Sequence, residues 1–207
     1  IDEMNAIDFK IDRFVGPYGV AASNARYAVE RGDWKAAAAL QSRDTKYLYA
    51  DALTYFARAL GKARSGDPAG AKPDADKLGE ISAKLKEAKD GYWSEIVGIQ
   101  QQVASAWVLF AEGKHDEALK AMSAAAAAED KTEKHPVTPG VPKPARELYG
   151  VMLLERGMPK EALAAFEATL KKEPNRLGAY VGAAKAAEKS GDKAKAREYY
   201  KKVVAIA

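Results

Sequence analysis

Few residues in this chain could do acid–base, nucleophilic or metal chemistry. His115 and His135 are the only histidines and there is no cysteine. Two imidazoles cannot build a centre of three or more histidine ligands within one chain. Without cysteine there is no thiolate nucleophile, disulfide or cysteine-ligated zinc. A Ser–His–Asp relay needs a histidine beside its nucleophile. His115 opens His115-Asp116-Glu117 and reads as a solvated residue of a first helical turn. His135 precedes Pro136 and would meet a ligand if that stretch folded over a groove. The carboxylate pairs Asp116/Glu117 and Glu129/Asp130 are adjacent, so on a helix they do not face one another, and no general acid–base pair is indicated. No phosphate loop, dinucleotide fingerprint, nucleophile elbow or zinc-protease helix occurs. No catalytic residue, metal or cofactor is expected, and the chain reads as a non-enzyme.

The 207 residues are 47% hydrophobic and 30% charged, a balance that excludes overall disorder and allows a sizeable core. No run of about 18 apolar residues exists, so no transmembrane segment is expected. The 33 basic and 29 acidic residues leave +4. From 171 to 207 the count is 10 basic and 4 acidic, a net of +6, so the rest carries 33 − 10 = 23 basic and 29 − 4 = 25 acidic, a net of −2. Such an end is either a solvated face or an attractor of anions. No glycine-rich or aromatic nucleic-acid motif accompanies it, and nucleic acid is not an expected partner. The chain begins at Ile1, which leans toward an exported protein whose signal was removed, although a trimmed cytoplasmic chain fits as well.

The elements come from a ruler of glycines. Gly32, Gly66, Gly113, Gly157 and Gly191 each stand at the end of one helical pattern and before another, at intervals of 34, 47, 44 and 34. Glycine enters the left-handed conformation that ends a helix without penalty, and Asp33, Asp67 and Asp192 can cap the helices that follow. Seven residues before the glycines stand Ala25, Ala59, Ala106, Gly150 and Ala184; five after stand Ala37, Ala71, Ala118, Ala162 and Ala196. Small residues in both registers let paired helices approach. The expected helices are 18–31, 33–41, 46–65, 68–88, 91–112, 114–129, 144–156, 159–172, 176–190 and 192–206, with Pro73 delaying the fourth to 74. The interval of 47 exceeds 34 by 13, about two extra turns for each of two helices. The excess in the interval of 44 is a proline-rich linker.

The period of 34, with Ala162-x3-Phe166 and Pro174, and with Ala196-x3-Tyr200, resembles the tetratricopeptide repeat family. Tyr55 and Tyr180 stand where the first half of the motif has tryptophan, and Trp34 where an aromatic follows the turn. Gln41 stands where the first repeat should have phenylalanine. The linker from 129 to 140 resembles that of uncharacterised bacterial proteins of this class. The resemblance implies an all-α right-handed superhelix of about five antiparallel pairs: an arm over 1–17, then one solenoid over 18–207 with pairs at 18–45, 46–90, 91–129, 144–175 and 176–207 and a linker over 130–143.

The resemblance also implies that the leading helix of each pair lines a hollow. Its ligand-facing positions fall on Leu53, Phe56, Leu60 and Ala63, on Gln100, Val103, Trp107 and Phe110, on Pro144, Glu147, Val151 and Leu154, and on Gly178, Val181, Lys185 and Glu188. The candidate groove is therefore Leu53, Phe56, Leu60, Val103, Trp107, Phe110, Val151 and Leu154, with His135 above it. Exposed, such an apolar stripe would take a protein or peptide; closed over, it would carry a small apolar, lipid-like ligand; packed, it is ordinary core. Tyr47, Tyr49, Tyr92 and Trp93 read either as an aromatic edge or, more in keeping with aromatics in cores, as packing between long helices, and Met122 is expected to fill core.

Overall fold

The computed structural model describes residues 15–134 and 140–206. They form ten helices and no strand: α1 (Val15–Arg31), α2 (Trp34–Ala38), α3 (Leu48–Arg64), α4 (Pro68–Glu87), α5 (Gly91–Ala111), α6 (His115–Glu129), α7 (Ala145–Glu155), α8 (Pro159–Lys172), α9 (Leu177–Lys189) and α10 (Lys193–Ile206). The fold is all-α and built of helical repeats. The expected arm falls almost wholly on residues outside the described ones. Two compact units divide the chain, the first ending at Ala121 and resuming for 131–143, the second comprising 122–130 and everything from Pro144. In the first, α3 packs against α1, α2, α4 and α5, and α4 against α5; in the second, α7, α8, α9 and α10 pack in succession, with α7 also touching α9.

Every glycine of the ruler ends a helix in the same way. All five have φ between 67° and 87°. At the first, the Gly32 N–H donates to Val29 O at 3.2 Å and the Asp33 N–H to Ala28 O at 3.0 Å. The same pair of bonds, three back and five back, recurs at Gly66, Gly113, Gly157 and Gly191, giving a Schellman motif at each. Asp33, Asp67 and Asp192 accept from the backbone N–H three residues on, at 2.9, 2.8 and 3.0 Å. Removing such a cap costs about 1 kcal/mol. The turn between α4 and α5 has no glycine: Lys89 takes φ 60° instead, and Asp90 caps α5 through the Trp93 N–H.

Both small-residue registers are buried, from Ala25 and Ala37 to Ala184 and Ala196. The closeness they allow shows at two further glycines. A Cβ on Gly61 would lie 2.4 Å from Ala38 N and 2.6 Å from Trp34 O, so α2 and α3 meet backbone to backbone. A Cβ on Gly182 would lie 2.3 Å from the Phe166 ring. The interval of 47 is realised as length: α4 has 20 residues and α5 has 21, against 11 to 14 in α7–α10.

Three boundaries differ from expectation. Helix α1 begins at Val15, because Pro17 falls in the first turn, where its missing N–H has no partner to lose. Helix α4 runs through Pro73 without delay, since only the Ala69 carbonyl, one turn in, goes without its donor. Helix α2 stops at Ala38 rather than 41. Beyond it, short polar side chains bond the backbone locally: the Asp44 N–H donates to Ser42 Oγ, the Tyr47 N–H to Thr45 Oγ1 and the Thr45 N–H to Asp51 Oδ1, with Asp44 at φ 46°. Such bonds compete with helix continuation. The end of the linker is anchored where Arg26 donates to the Gly140 and Val141 carbonyls and Lys143 lies 3.6 Å from Glu30.

Candidate functional site

The apolar stripe does not lie on a surface. Leu53, Phe56, Leu60, Val103 and Trp107 are each 0–2% exposed. This corrects their expected place in an open groove. Helix α3 is surrounded by four others, so the face expected to line a hollow meets neighbouring helices instead. Phe110, Val151 and Leu154 are half-buried, and His135 lies outside the described residues. Glu147, also placed in the hollow by register, is 1% exposed and ion-paired with Arg176.

Around Trp107 the packing is specific. The Arg64 guanidinium lies 4.3 Å from the centroid of Trp107 and 5.1 Å from that of Trp34, between two indoles. Phe110 meets Trp107 edge-on at 5.3 Å. His115 lies 4.7 Å from the Phe110 ring and is half-buried, not solvated as its sequence context suggested, because the ring turns back onto α5. The expected aromatic residues pack on one another, with Trp93 buried and the tyrosines half-buried. Tyr49 stacks on Trp93 at 4.5 Å, and Tyr47, Tyr92 and Tyr18 complete the cluster. Burial pushes the Tyr49 hydroxyl up to about 12. The space left there, about 20 Å³, suits a water and no ligand. Tyr18 escaped the sequence reading because it sits alone, 29 residues before Tyr47.

The buried and half-buried acids are engaged in structure. Asp74 on α4 pairs with Arg58 at 3.1 Å and Lys62 at 2.7 Å on α3. Glu129 accepts from the Ala145 N–H at 2.7 Å, and Lys172 donates to the Glu129 carbonyl at 2.9 Å. Burial pushes the Glu129 carboxyl to about 7, with Asp130 and Glu173 adding to the rise and Lys172 opposing it. The folded chain therefore holds this proton where the unfolded chain has released it, so stability falls as pH rises from 4.5 to about 7 and stays lower above that. Glu129→Gln keeps the acceptor and removes the slope. Urea midpoints should show it gaining about 1–3 kcal/mol on the wild type between the acid and alkaline ends of that window. Among the described residues no group of histidines and carboxylates could hold a metal, and no helix is long and apolar enough to cross a membrane.

What remains on the outside is more informative. The exposed large hydrophobic side chains of the described residues are Tyr27, Leu177, Tyr200, Val204 and Ile206, and all but Tyr27 belong to the second unit. Three lie on α10, of which only Ala196 is buried. The inner side of α10 is tied down: Tyr199 Oη donates to Glu167 at 2.7 Å and Lys195 pairs with Glu167 at 2.7 Å, while at the exposed edge Tyr200 Oη donates to Glu188 at 3.0 Å. Its outer side carries Lys193, Arg197, Tyr200 and Val204 at spacings of 4, 3 and 4, which align on one helical face, with Lys201 beside them and Lys202 further round the helix. All six are exposed. The antiparallel hairpin puts Leu177, at the start of α9, at the same end as Val204 and Ile206. The signal for this surface was present in the net +6 of the last segment. It was missed because attention to leading helices passes over α10, which trails its pair.

Residues 153–207, spanning the end of α7 through α10, match the family model described as Tetratricopeptide repeat. No curated protein and no solved structure matches the chain.

Proposed function

We propose, from the premise that residues 153–207 belong to the tetratricopeptide repeat family, that the chain is a non-enzymatic scaffold whose partner is a protein and that the outer face of α10 receives an acidic amphipathic helix of that partner. Repeats of this family generally mediate protein–protein interaction. The observation that carries the site is Val204, 81% exposed, one turn from exposed Tyr200 and with Lys201 beside it. A water-facing helix side is normally polar, and contiguous exposed apolar side chains mark an interaction surface. The five basic residues of α10 against the single Glu198 select an acidic partner and speed its approach. A helix laid along this face would present apolar anchors at helical spacing and carboxylates on its flanks. Asp74 and Glu147 are held by cations and Glu129 by a backbone N–H, contacts that serve structure and leave no acid–base pair in this reading.

The test is fluorescence anisotropy on the full chain with a labelled designed helix carrying leucines on one face and glutamates on the other. The acidic peptide should bind with an affinity that falls as salt rises. Val204→Asp should weaken it about tenfold or more, as loss of a central apolar anchor does, with helicity unchanged. Equal binding by the Val204→Asp chain, or by the same peptide with lysines for glutamates, contradicts the proposal.

A further inference from the structure

The early end of α2 leaves space that a full-length second helix would fill. Between α1, α3 and the loop that replaces the end of α2 is a cavity of about 390 Å³. That lies within the range of small-molecule pockets, roughly 300–1,000 Å³. Val20, Ala21 and Leu40 give it apolar walls, and Asp51, Thr54 and Arg43 also line it. Asp51 and Thr54, three residues apart on α3, share a face and are 6% and 7% exposed. The Thr45 N–H, donating at 3.1 Å, fixes the Asp51 carboxylate against the cavity. Arg43 is exposed. The cavity thus combines a buried carboxylate, an exposed guanidinium and an apolar wall.

The geometry points to a binding site for a small zwitterion of the amino-acid class with an apolar side chain. The ammonium would pair with Asp51, the carboxylate would turn to Arg43, and the side chain would run along Val20, Ala21 and Leu40. Burial raises the Asp51 carboxyl above its ordinary range, because desolvation penalises its charged form. A cation bound beside it offsets that penalty, which is what a buried carboxylate contributes to recognition. The guanidinium suits a carboxylate through paired N–H donors. A simple acid meets Asp51 as a like charge, and a simple amine leaves the donors of Arg43 unused. This site belongs to the first unit and is independent of the α10 surface.

The experiment is an NMR titration of the full chain with three probes of one carbon skeleton: L-leucine, isoamylamine and 4-methylpentanoate. Leucine should shift the amide signals of Val20, Asp51 and Thr54 in a saturable way, with 4-methylpentanoate weaker by about tenfold or more, the effect of leaving the buried Asp51 unmet, and isoamylamine weaker by about threefold, since Arg43 is exposed. Asp51→Asn, which keeps the acceptor for Thr45, should abolish the leucine response. Arg43→Gln should bring leucine down to the level of isoamylamine. No saturable shift at those amides in the wild-type chain overturns the site whatever the variants do. Equal binding of 4-methylpentanoate and leucine, or leucine binding retained in a folded Asp51→Asn chain, overturns it too.

Discussion

Trp107→Ala is expected to destabilise the first unit by about 3–5 kcal/mol, the usual cost of deleting a large aromatic side chain from a core. The residue is 1% exposed, with Phe110 edge-on to it and the Arg64 guanidinium over its face. Alanine leaves a cavity and removes the cation–π contact with Arg64, so the truncation costs more than transfer of one indole. A cut of this size consumes much of the stability of a typical domain. Urea unfolding followed by circular dichroism should show a much lower midpoint, and tryptophan fluorescence should report earlier loss of the buried indoles. An unchanged midpoint would place Trp107 on a surface and return the apolar stripe to candidacy as a groove.

The second large effect belongs to the other unit. Phe166 is fully buried, and its ring fills the space that side chains on Gly150 and Gly182 would occupy; a Cβ on either would come within 2.8 or 2.3 Å of it. One ring thus joins three helices, α7, α8 and α9. Phe166→Ala should cost about 3–5 kcal/mol. Gly182→Ala alone should also destabilise, because the added methyl overlaps the ring. In the Phe166→Ala background the same methyl enters vacated space, so the double variant should be more stable than the sum of the single effects indicates. A double-mutant cycle in urea measures this coupling, and strict additivity would contradict the packing described.

These residues show which parts of the molecule are readable from the chain alone. The five glycines demand a conformation that other residues avoid, so their spacing announces helix ends, and each takes the positive φ its position requires. The alanines around them and the aspartates after them follow from the same local rules, close approach and capping. The turn at Lys89 has no glycine, and its local signal is weaker. The early end of α2 depends on Ser42, Asp44 and Thr45 out-competing a helix whose residues are otherwise good formers, which the expected boundary at 41 overlooked. The site was harder still. An apolar stripe has the same spacing whether it faces a hollow or a neighbouring helix, and only the placement of four helices around α3 decides that Leu53, Phe56 and Leu60 are core. The outer face of α10 is the reverse case. Its sequence reads as a charged helix with a few apolar residues, and the exposure of Tyr200 and Val204 depends on α9 covering only one side.

The most direct measurement of the proposed interaction is site-specific photocrosslinking in the cells that make the protein, with the full chain carrying a photoreactive phenylalanine analogue at position 204 or, in parallel, at positions 110, 151 and 154. The account predicts a discrete protein adduct from position 204 that excess acidic amphipathic peptide competes away and that the other positions do not give. Adducts from 110, 151 or 154 with none from 204 would contradict it, and would move the partner to the half-buried remnant of the apolar stripe.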